Sequence, residues 1–130
     1  MYLKLLELGA DCITLGNHFL TKDATHHFLD EANKLVRPAN IHDSIKGKGS
    51  RVFIVNNVPV RVTNLLGRTF IKDLNPTNPF DKIDEILKES NEKIHFIDFH
   101  CEATSEKLAL AWYLDGKVSA VIGTHTHVPT

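Results

Sequence analysis

Apolar residues are concentrated in three runs of the sequence, residues 11–18, 94–100 and 118–127, and each run ends with a histidine. Uninterrupted runs of Val, Ile, Leu and Phe are typical of parallel strands that are buried on both faces of a sheet. Ligands of such sheets bind outside the carboxyl ends of the strands. We therefore expect the three strands to be neighbours in one sheet, with carboxyl ends near Leu15, Phe99 and Ile122.

The segments between these runs contain apolar residues at helical spacing and one hairpin pattern. Helices are expected over residues 2–8, 23–35, 80–87 and 104–114, the second of them capped by Asp23. A hairpin is expected around Asn56 and Asn57, and Pro59 favours an edge position for its second strand. The alternation of strands and helices predicts an α/β fold with right-handed crossovers.

The candidate site consists of the polar residues that follow the three apolar runs, namely Asn17, His18, His100, His125 and His127. Imidazole is the commonest side-chain ligand of transition metals, so these residues predict one metal site built from distant segments. His125 and His127 are two apart, and in extended backbone their rings point the same way. Structural zinc modules use closely spaced cysteine pairs, and the sequence has none. The pattern therefore favours metal-assisted hydrolysis.

Other polar residues are expected to lie outside the candidate site, with structural or surface roles. His26 and His27 are consecutive on a predicted helix and point in different directions, which places them on the solvated surface. His42 lies in a loop, and His95 opens a strand at the end opposite to the candidate site. Glu102 precedes a predicted helix, where an acidic residue suits the helix dipole, so we expect it to act as a cap; the alternative is that it supports a metal ligand.

Length and composition predict one soluble globular domain over residues 1–130, because the chain is 42% hydrophobic and 24% charged. A formal net charge of -1 provides no overall field that would attract nucleic acid. Cys12 and Cys101 match neither a disulfide framework nor a zinc ribbon, which favours the reducing cytoplasm. No apolar stretch is long enough to cross a bilayer, so no membrane partner is expected.

Several motifs resemble those of a known family. Gly16-Asn17-His18, Phe99-His100 and the segment at 123–127 (GTHTH) stand in the order of the calcineurin-like metallophosphoesterase motifs. Longer motifs at 37–40 (RPAN), 66–70 (LGRTF) and 97–107 (IDFHCEATSEK) resemble the bacterial YmdB-like branch, whose members act on cyclic nucleotides. The resemblance extends over the whole chain.

The resemblance implies a sheet sandwich flanked by helices, with two metal ions, commonly iron or manganese, bridged by a hydroxide. By motif position, Asn17, His100 and His125 resemble ligands of one metal, and His127 resembles a ligand of the other. His18 resembles the general acid. Two cations would lower the pKa of their shared water and neutralise phosphoryl oxygens, and a neighbouring imidazolium would protonate the leaving oxygen.

The chain departs from the family pattern at both ends. Members open with a strand that carries a metal-binding Asp and a strand that ends in Glu-Asn, both of which would precede Met1, and they continue beyond the last motif. The chain therefore resembles a partial domain, about the middle half of a member, without the N-terminal strands and the C-terminal part. We expect one metal ion rather than two, weak or no activity of the isolated chain, and homo-oligomerisation or other association through exposed sheet edges.

Two functions stay open from the sequence. The first is a metal-dependent phosphodiesterase that hydrolyses cyclic nucleotides such as 2′,3′-cyclic nucleotides. The second is a non-catalytic metal-binding or interaction module, because the carboxylates most needed for a bridged metal pair are not in the sequence. An amidohydrolase-type barrel also places H-x-H at a strand end, but the central hairpin and the length of the chain argue against it.

Overall fold

The computed structural model describes residues 1–21, 27–72 and 74–130, which form a mixed α/β fold. In chain order the elements are helix α1 (Tyr2–Glu7), strands β1 (Ile13–Thr14), β2 (Leu35–Val36), β3 (Ser50–Val55) and β4 (Val58–Leu66), helix α2 (Pro79–Glu89), strand β5 (Ile94–His100), helix α3 (Thr104–Tyr113) and strand β6 (Ala120–Thr124). Among the described residues, no helix is both long enough and apolar enough to cross a bilayer.

The strands form a four-stranded sheet in the order β3-β4-β5-β6 and a two-stranded sheet of β1 and β2. The expected hairpin is confirmed, because β3 and β4 are antiparallel and are joined by Asn56 and Asn57, whose φ angles are 48° and 64°. Two consecutive positive φ angles are typical of the tight turn that joins such strands. Strands β4, β5 and β6 are parallel, as the crossovers through α2 and α3 require.

Three expectations about these strands are wrong. The strand near Leu15 pairs with β2 and lies outside the sheet of β5 and β6. Leu35 belongs to β2 instead of ending a helix, because its buried side chain packs beside β1; Asp23, the expected cap, and His26 lie outside the described residues. Strand β4 is central, and Pro59 lies one residue before the part of β4 that pairs with β5.

Asn64 joins the two sheets at the carboxyl ends of their strands. Its amide nitrogen donates hydrogen bonds to the carbonyl oxygens of Leu15 and Val36, at the ends of β1 and β2. The backbone of Asn64 also forms an isolated parallel bridge with Pro38, so β2 continues as a contact with β4. Although β1 lies outside the larger sheet, its carboxyl end is therefore held beside that sheet.

Residues of the RPAN motif hold the loops on this side of the sheet. The guanidinium of Arg37 donates to the carbonyl oxygens of Pro38, Ile45 and Lys46. Asn40 is fully buried and exchanges two hydrogen bonds with the backbone of Leu66, each 2.8 Å long. The motif thus fixes the end of β4 and contributes no side chain to the candidate site.

The main core lies between the four-stranded sheet and helices α2 and α3. Ile97 and Phe99 of β5 are fully buried against Ile83 of α2 and Leu110 of α3. Truncation of a buried Phe to Ala typically costs about 3–5 kcal/mol, so packing of this kind fixes β5 firmly. His100, the next residue after Phe99, is held by the same strand.

Candidate metal centre

The site is built around His100, the last residue of β5. The loop after β1 approaches its ring closely at Gly16. A Cβ atom at Gly16 would lie 2.5 Å from Cε1 and 2.7 Å from Nε2 of His100, so a larger residue would push the loop away. The glycine therefore allows the following residue, Asn17, to reach the same imidazole.

Two side chains from other segments meet one nitrogen of His100. Its Nε2 lies 3.1 Å from Oδ1 of Asn17 and 3.1 Å from Nδ1 of His125. The two imidazole rings are 4.9 Å apart and nearly perpendicular. Asn17 is buried, whereas the two histidines are partly buried. The structure therefore brings Asn17, His100 and His125 together, although the segments come from two sheets.

Hydrogen bonds on the far side of His100 assign its tautomer. Thr124 donates its hydroxyl proton to Asp98 over 2.8 Å, so it accepts a proton from Nδ1 of His100, 3.0 Å away. Nε2 of the neutral ring then carries a lone pair that faces Asn17 and His125. Burial, followed by the charge of His125, lowers the pKa of His100, which favours this neutral form.

Glu102 has the corresponding effect on His125. Its carboxylate lies 2.9 Å from Nε2 of His125, so the proton of the neutral ring is assigned to Nε2 and the lone pair to Nδ1. Carboxylates and other acceptors that hold the second nitrogen in this way are regular partners of metal-binding histidines. The expectation that Glu102 caps α3 is wrong, because α3 has no side-chain cap and begins after Ala103.

The three facing atoms therefore all present electron pairs. In these neutral tautomers Nε2 of His100, Nδ1 of His125 and Oδ1 of Asn17 direct electron pairs at one another, with Nε2 3.1 Å from each of the other two atoms, and this arrangement suits a cation between them. Two atoms bound to one ion at about 2.1 Å lie about 3.0–3.4 Å apart at ordinary coordination angles. The donor set and its spacing fit a transition metal ion.

His18 lies beside this cluster but outside it. Its Nε2 is 3.4 Å from the amide nitrogen of Asn17, and its side chain is exposed. This arrangement keeps the amide oxygen of Asn17 directed at His100. The position of His18, next to a candidate ligand and open to solvent, is compatible with the expected role of a general acid.

His127 is placed differently from the expectation for H-x-H. Strand β6 ends at Thr124, and both His125 and His127 have positive φ angles, 96° and 60°. The backbone is therefore not extended, and the argument that both rings point the same way fails. His127 is exposed, whereas His125 turns towards His100.

Sequence reasoning missed the residues that support the ligands. Asp98 and His100 are two apart on β5, and Thr124 pairs with His100 across the parallel ladder, so strand register was the available signal. Lys107 is almost fully buried and donates to the hydroxyls of Thr126 and Thr130, which fixes the loop that contains His125.

Within the described ranges, no group of three or more His, Cys, Asp or Glu residues could hold a metal ion, so the amide of Asn17 is essential to the proposed donor set.

Known proteins resemble this chain over its whole length. A family model described as YmdB-like protein matches residues 1–130. The chain is 49% identical to the 2′,3′-cyclic-nucleotide 2′-phosphodiesterase of Bacillus subtilis, a match that covers 100% of the chain and 49% of the relative. A putative phosphatase/phosphodiesterase of Mycoplasma pneumoniae is 39% identical, with coverage of 97% and 46%. The chain spans about half the length of the curated relatives it matches.

Solved structures agree with the fold described above. A hypothetical protein from Thermus thermophilus superposes with a TM-score of 0.91 at 41% identity, covering 99% of this chain and 50% of that one. A novel phosphatase from Mycoplasma pneumoniae superposes with a TM-score of 0.90 at 39% identity, covering 99% and 47%. These similarities confirm the expected α/β fold class.

Proposed function

Because the chain belongs to the YmdB-like family, we propose that it forms part of a metal-dependent phosphodiesterase that hydrolyses nucleoside 2′,3′-cyclic phosphates. The observation that carries this proposal is the meeting of three electron-pair donors at His100, each fixed by a neighbouring segment. The substrate class is suggested by the name of the Bacillus subtilis relative.

Asn17, His100 and His125 are proposed to hold one divalent ion, and His127 is proposed to contribute to a second ion where a complete site exists. A mixture of imidazole and amide oxygen donors suits iron and manganese, which we propose as the metals. The bound metal would lower the pKa of a water molecule and neutralise charge on the phosphoryl oxygens.

The residues of the chain itself supply positioning and a proton. Asp98 and Thr124 hold the ring of His100, and Glu102 holds that of His125, so both lone pairs stay directed at the site. In the proposed reaction water attacks phosphorus, the bond from phosphorus to O2′ breaks, and protonated His18 gives a proton to O2′. The product keeps its phosphate on O3′.

One observation favours the second candidate, a metal-binding module without catalysis. The described residues bring together only three donors, and His127 is exposed instead of joining them. A single ion would provide half of a two-ion mechanism. We therefore propose that activity of the isolated chain is low.

A manganese titration with a parallel activity assay tests these candidates. We expect the chain to bind Mn²⁺ and His100→Ala to abolish binding, while His42→Ala, which changes a histidine bonded to Ser44 in a loop, has no effect. Hydrolysis of adenosine 2′,3′-cyclic monophosphate that depends on His100 supports the phosphodiesterase. Binding without hydrolysis supports the module, and absence of binding rejects both.

A further inference from the structure

A loop at residues 67–71 lies beside the candidate metal centre. It follows β4 directly, and the backbone N–H of Gly67 donates to the carbonyl oxygen of His100 over 2.9 Å. Because β4 and β5 are parallel neighbours with Leu66 opposite His100, this loop leaves the sheet at the same edge as the site. A substrate bound at the metal centre would extend over this edge.

The loop is anchored on both sides of its tip. Glu106 of α3 accepts hydrogen bonds from the backbone N–H groups of Arg68 and Thr69, at 2.8 and 3.3 Å. After the tip, Ile71 is buried in a cluster with Leu66, against which Phe19 packs. Since Phe19 follows His18 in the chain, the loop packs against the residue next to the proposed acid.

The tip of this anchored loop is Phe70, which has two features that destabilise the folded state. Its side chain is 80% exposed, and its φ angle is 65°, in the left-handed region that residues with a Cβ atom rarely adopt. Strained residues that are held by their surroundings cluster at functional sites. An exposed aromatic ring on a rigid loop offers a flat apolar face to a ligand.

Arg68 adds a positive charge to the same loop. Its side chain is exposed, and in the part of the chain that the structure describes its guanidinium makes no hydrogen bond or ion pair. The carboxylate of Glu106 accepts from the backbone N–H groups of this loop. The loop therefore presents an aromatic face and an available cation together, a combination that suits a nucleotide.

We propose that Phe70 is a stacking platform for the base of a nucleotide and that Arg68 contacts its phosphate. This inference rests on the proposed function for its substrate class; it adds a contact to the base, which the metal centre does not touch, and a second contact to the phosphate. Stacking tolerates every base because each has a π face, so the platform would select nucleotides over other phosphodiesters without selecting a particular base.

Binding measurements in EDTA test the platform without requiring hydrolysis. The probes are adenosine 3′-monophosphate and ribose 3-phosphate, which differ only in the base. In Phe70→Asn the ring is removed while the left-handed backbone is kept, because Asn adopts it readily. We expect this variant to bind adenosine 3′-monophosphate about 5- to 100-fold more weakly and ribose 3-phosphate unchanged.

Three further variants make the result specific. Phe70→Trp should restore affinity to within about threefold, since it restores a ring. Trp112→Ala removes a ring that is 77% exposed on α3 and should leave both affinities unchanged. Arg68→Gln should weaken both probes by a similar factor, because both carry the phosphate.

Several outcomes would overturn the platform. They are equal affinity of the unaltered chain for the two probes, unchanged binding by Phe70→Asn, or an equal loss in Trp112→Ala. A change in self-association of Phe70→Asn, seen by sedimentation velocity without a change in nucleotide binding, would assign the ring to a protein contact instead. Phe70-dependent nucleotide binding by a chain that does not bind Mn²⁺ rejects the proposed metal-dependent function alone, and Mn²⁺ binding without Phe70-dependent nucleotide binding rejects the platform alone.

Discussion

His95 and His100 lie on the same strand, β5, and burial lowers the pKa of both, yet their surroundings differ. His95 is 3% exposed, and its Nε2 lies 2.8 Å from the hydroxyl of Thr63, which is itself paired with Ser50. His100 faces an amide oxygen and a second imidazole. The first histidine has a partner that can donate or accept a proton, and the second, in the neutral tautomers assigned above, faces atoms that only accept one.

The difference shows what distinguishes a candidate ligand from a core histidine. A lowered pKa reports burial, and burial is shared by both ends of the strand. Among the described residues of the two ends, electron pairs converge at the carboxyl end of β5, where loops from both sheets meet. Four predictions test this distinction between the two ends of β5, in order of decreasing expected effect.

The largest effect is expected on kcat when His18 is changed. This variant tests whether a histidine near the strand carboxyl ends must bind metal. The chain would replace the matching half of the Bacillus subtilis relative, with which it is 49% identical. His18→Ala in this chimera should lower kcat on a 2′,3′-cyclic nucleotide by about 10²- to 10⁴-fold with metal content unchanged, because a general acid is removed. Unchanged turnover would exclude the acid role, and parallel loss of metal would make His18 a ligand.

The next largest effect is expected on Mn²⁺ affinity, which is compared between variants of His100 and His95. His100→Ala should weaken Mn²⁺ binding more than about 100-fold, since loss of a ligand exceeds the 10- to 100-fold typical for loss of a supporting partner. His95→Gln should leave Mn²⁺ affinity unchanged. Isothermal titration of both variants measures the difference, and a comparable loss in His95→Gln would remove the distinction between the two ends.

Hydroxyl partners at the two ends provide a matched pair. Thr124→Val removes the acceptor for Nδ1 of His100 with little change in shape, and Mn²⁺ affinity should fall about 10- to 100-fold. Thr63→Val removes the partner of His95 and should instead lower the free energy of unfolding by about 1–3 kcal/mol. Metal titration and urea unfolding of both variants test the pair; equal loss of metal affinity would contradict it.

The last prediction concerns pH, and its effect is small over any one pH unit, at most about 1.4 kcal/mol. Burial, then the charge of Arg61, lowers the pKa of His95 to about 4, although Glu92 opposes the shift. The unfolded chain takes up this proton near pH 6.5 and the folded chain only near 4, so stability falls as pH decreases between these values, by about 3 kcal/mol at most. Urea unfolding from about pH 7 to 4 should show a shallower loss in His95→Gln, and identical slopes would contradict the assignment.

The hydrophobic pattern predicted much of the fold because it reports burial along each strand. The apolar runs at 94–100 and 118–127 indicated β5 and β6 as parallel neighbours, and Asn56 and Asn57 indicated the hairpin turn. The prediction of a helix ending at Leu35 was wrong, because apolar residues spaced three and four apart also line turns that cover a small sheet. Pairing of β1 with β2 depends on contacts between distant segments, which local spacing does not contain.

The candidate site was predicted in part for a similar reason. Asn17, His100 and His125 follow strand ends, and strand ends are visible in the sequence. The orientation of His127 depends on positive φ angles after β6, which residues other than glycine rarely signal. Glu102 was misassigned because an acid before a helix suits both a cap and a partner for a neighbouring loop.

The buried amide of Asn64 aligns the two sheets that contribute residues to the candidate site. It binds the carbonyl of Leu15, two residues before Asn17, and thereby aligns a sheet of only two short strands with the sheet that carries His100. Hydrogen bonds have a narrow length range, so this amide fixes the distance between the two segments that carry Asn17 and His100. The separation of two proposed ligands, Asn17 and His100, therefore depends on a residue that is not itself a proposed ligand, and a substitution of Asn64 is expected to change that separation.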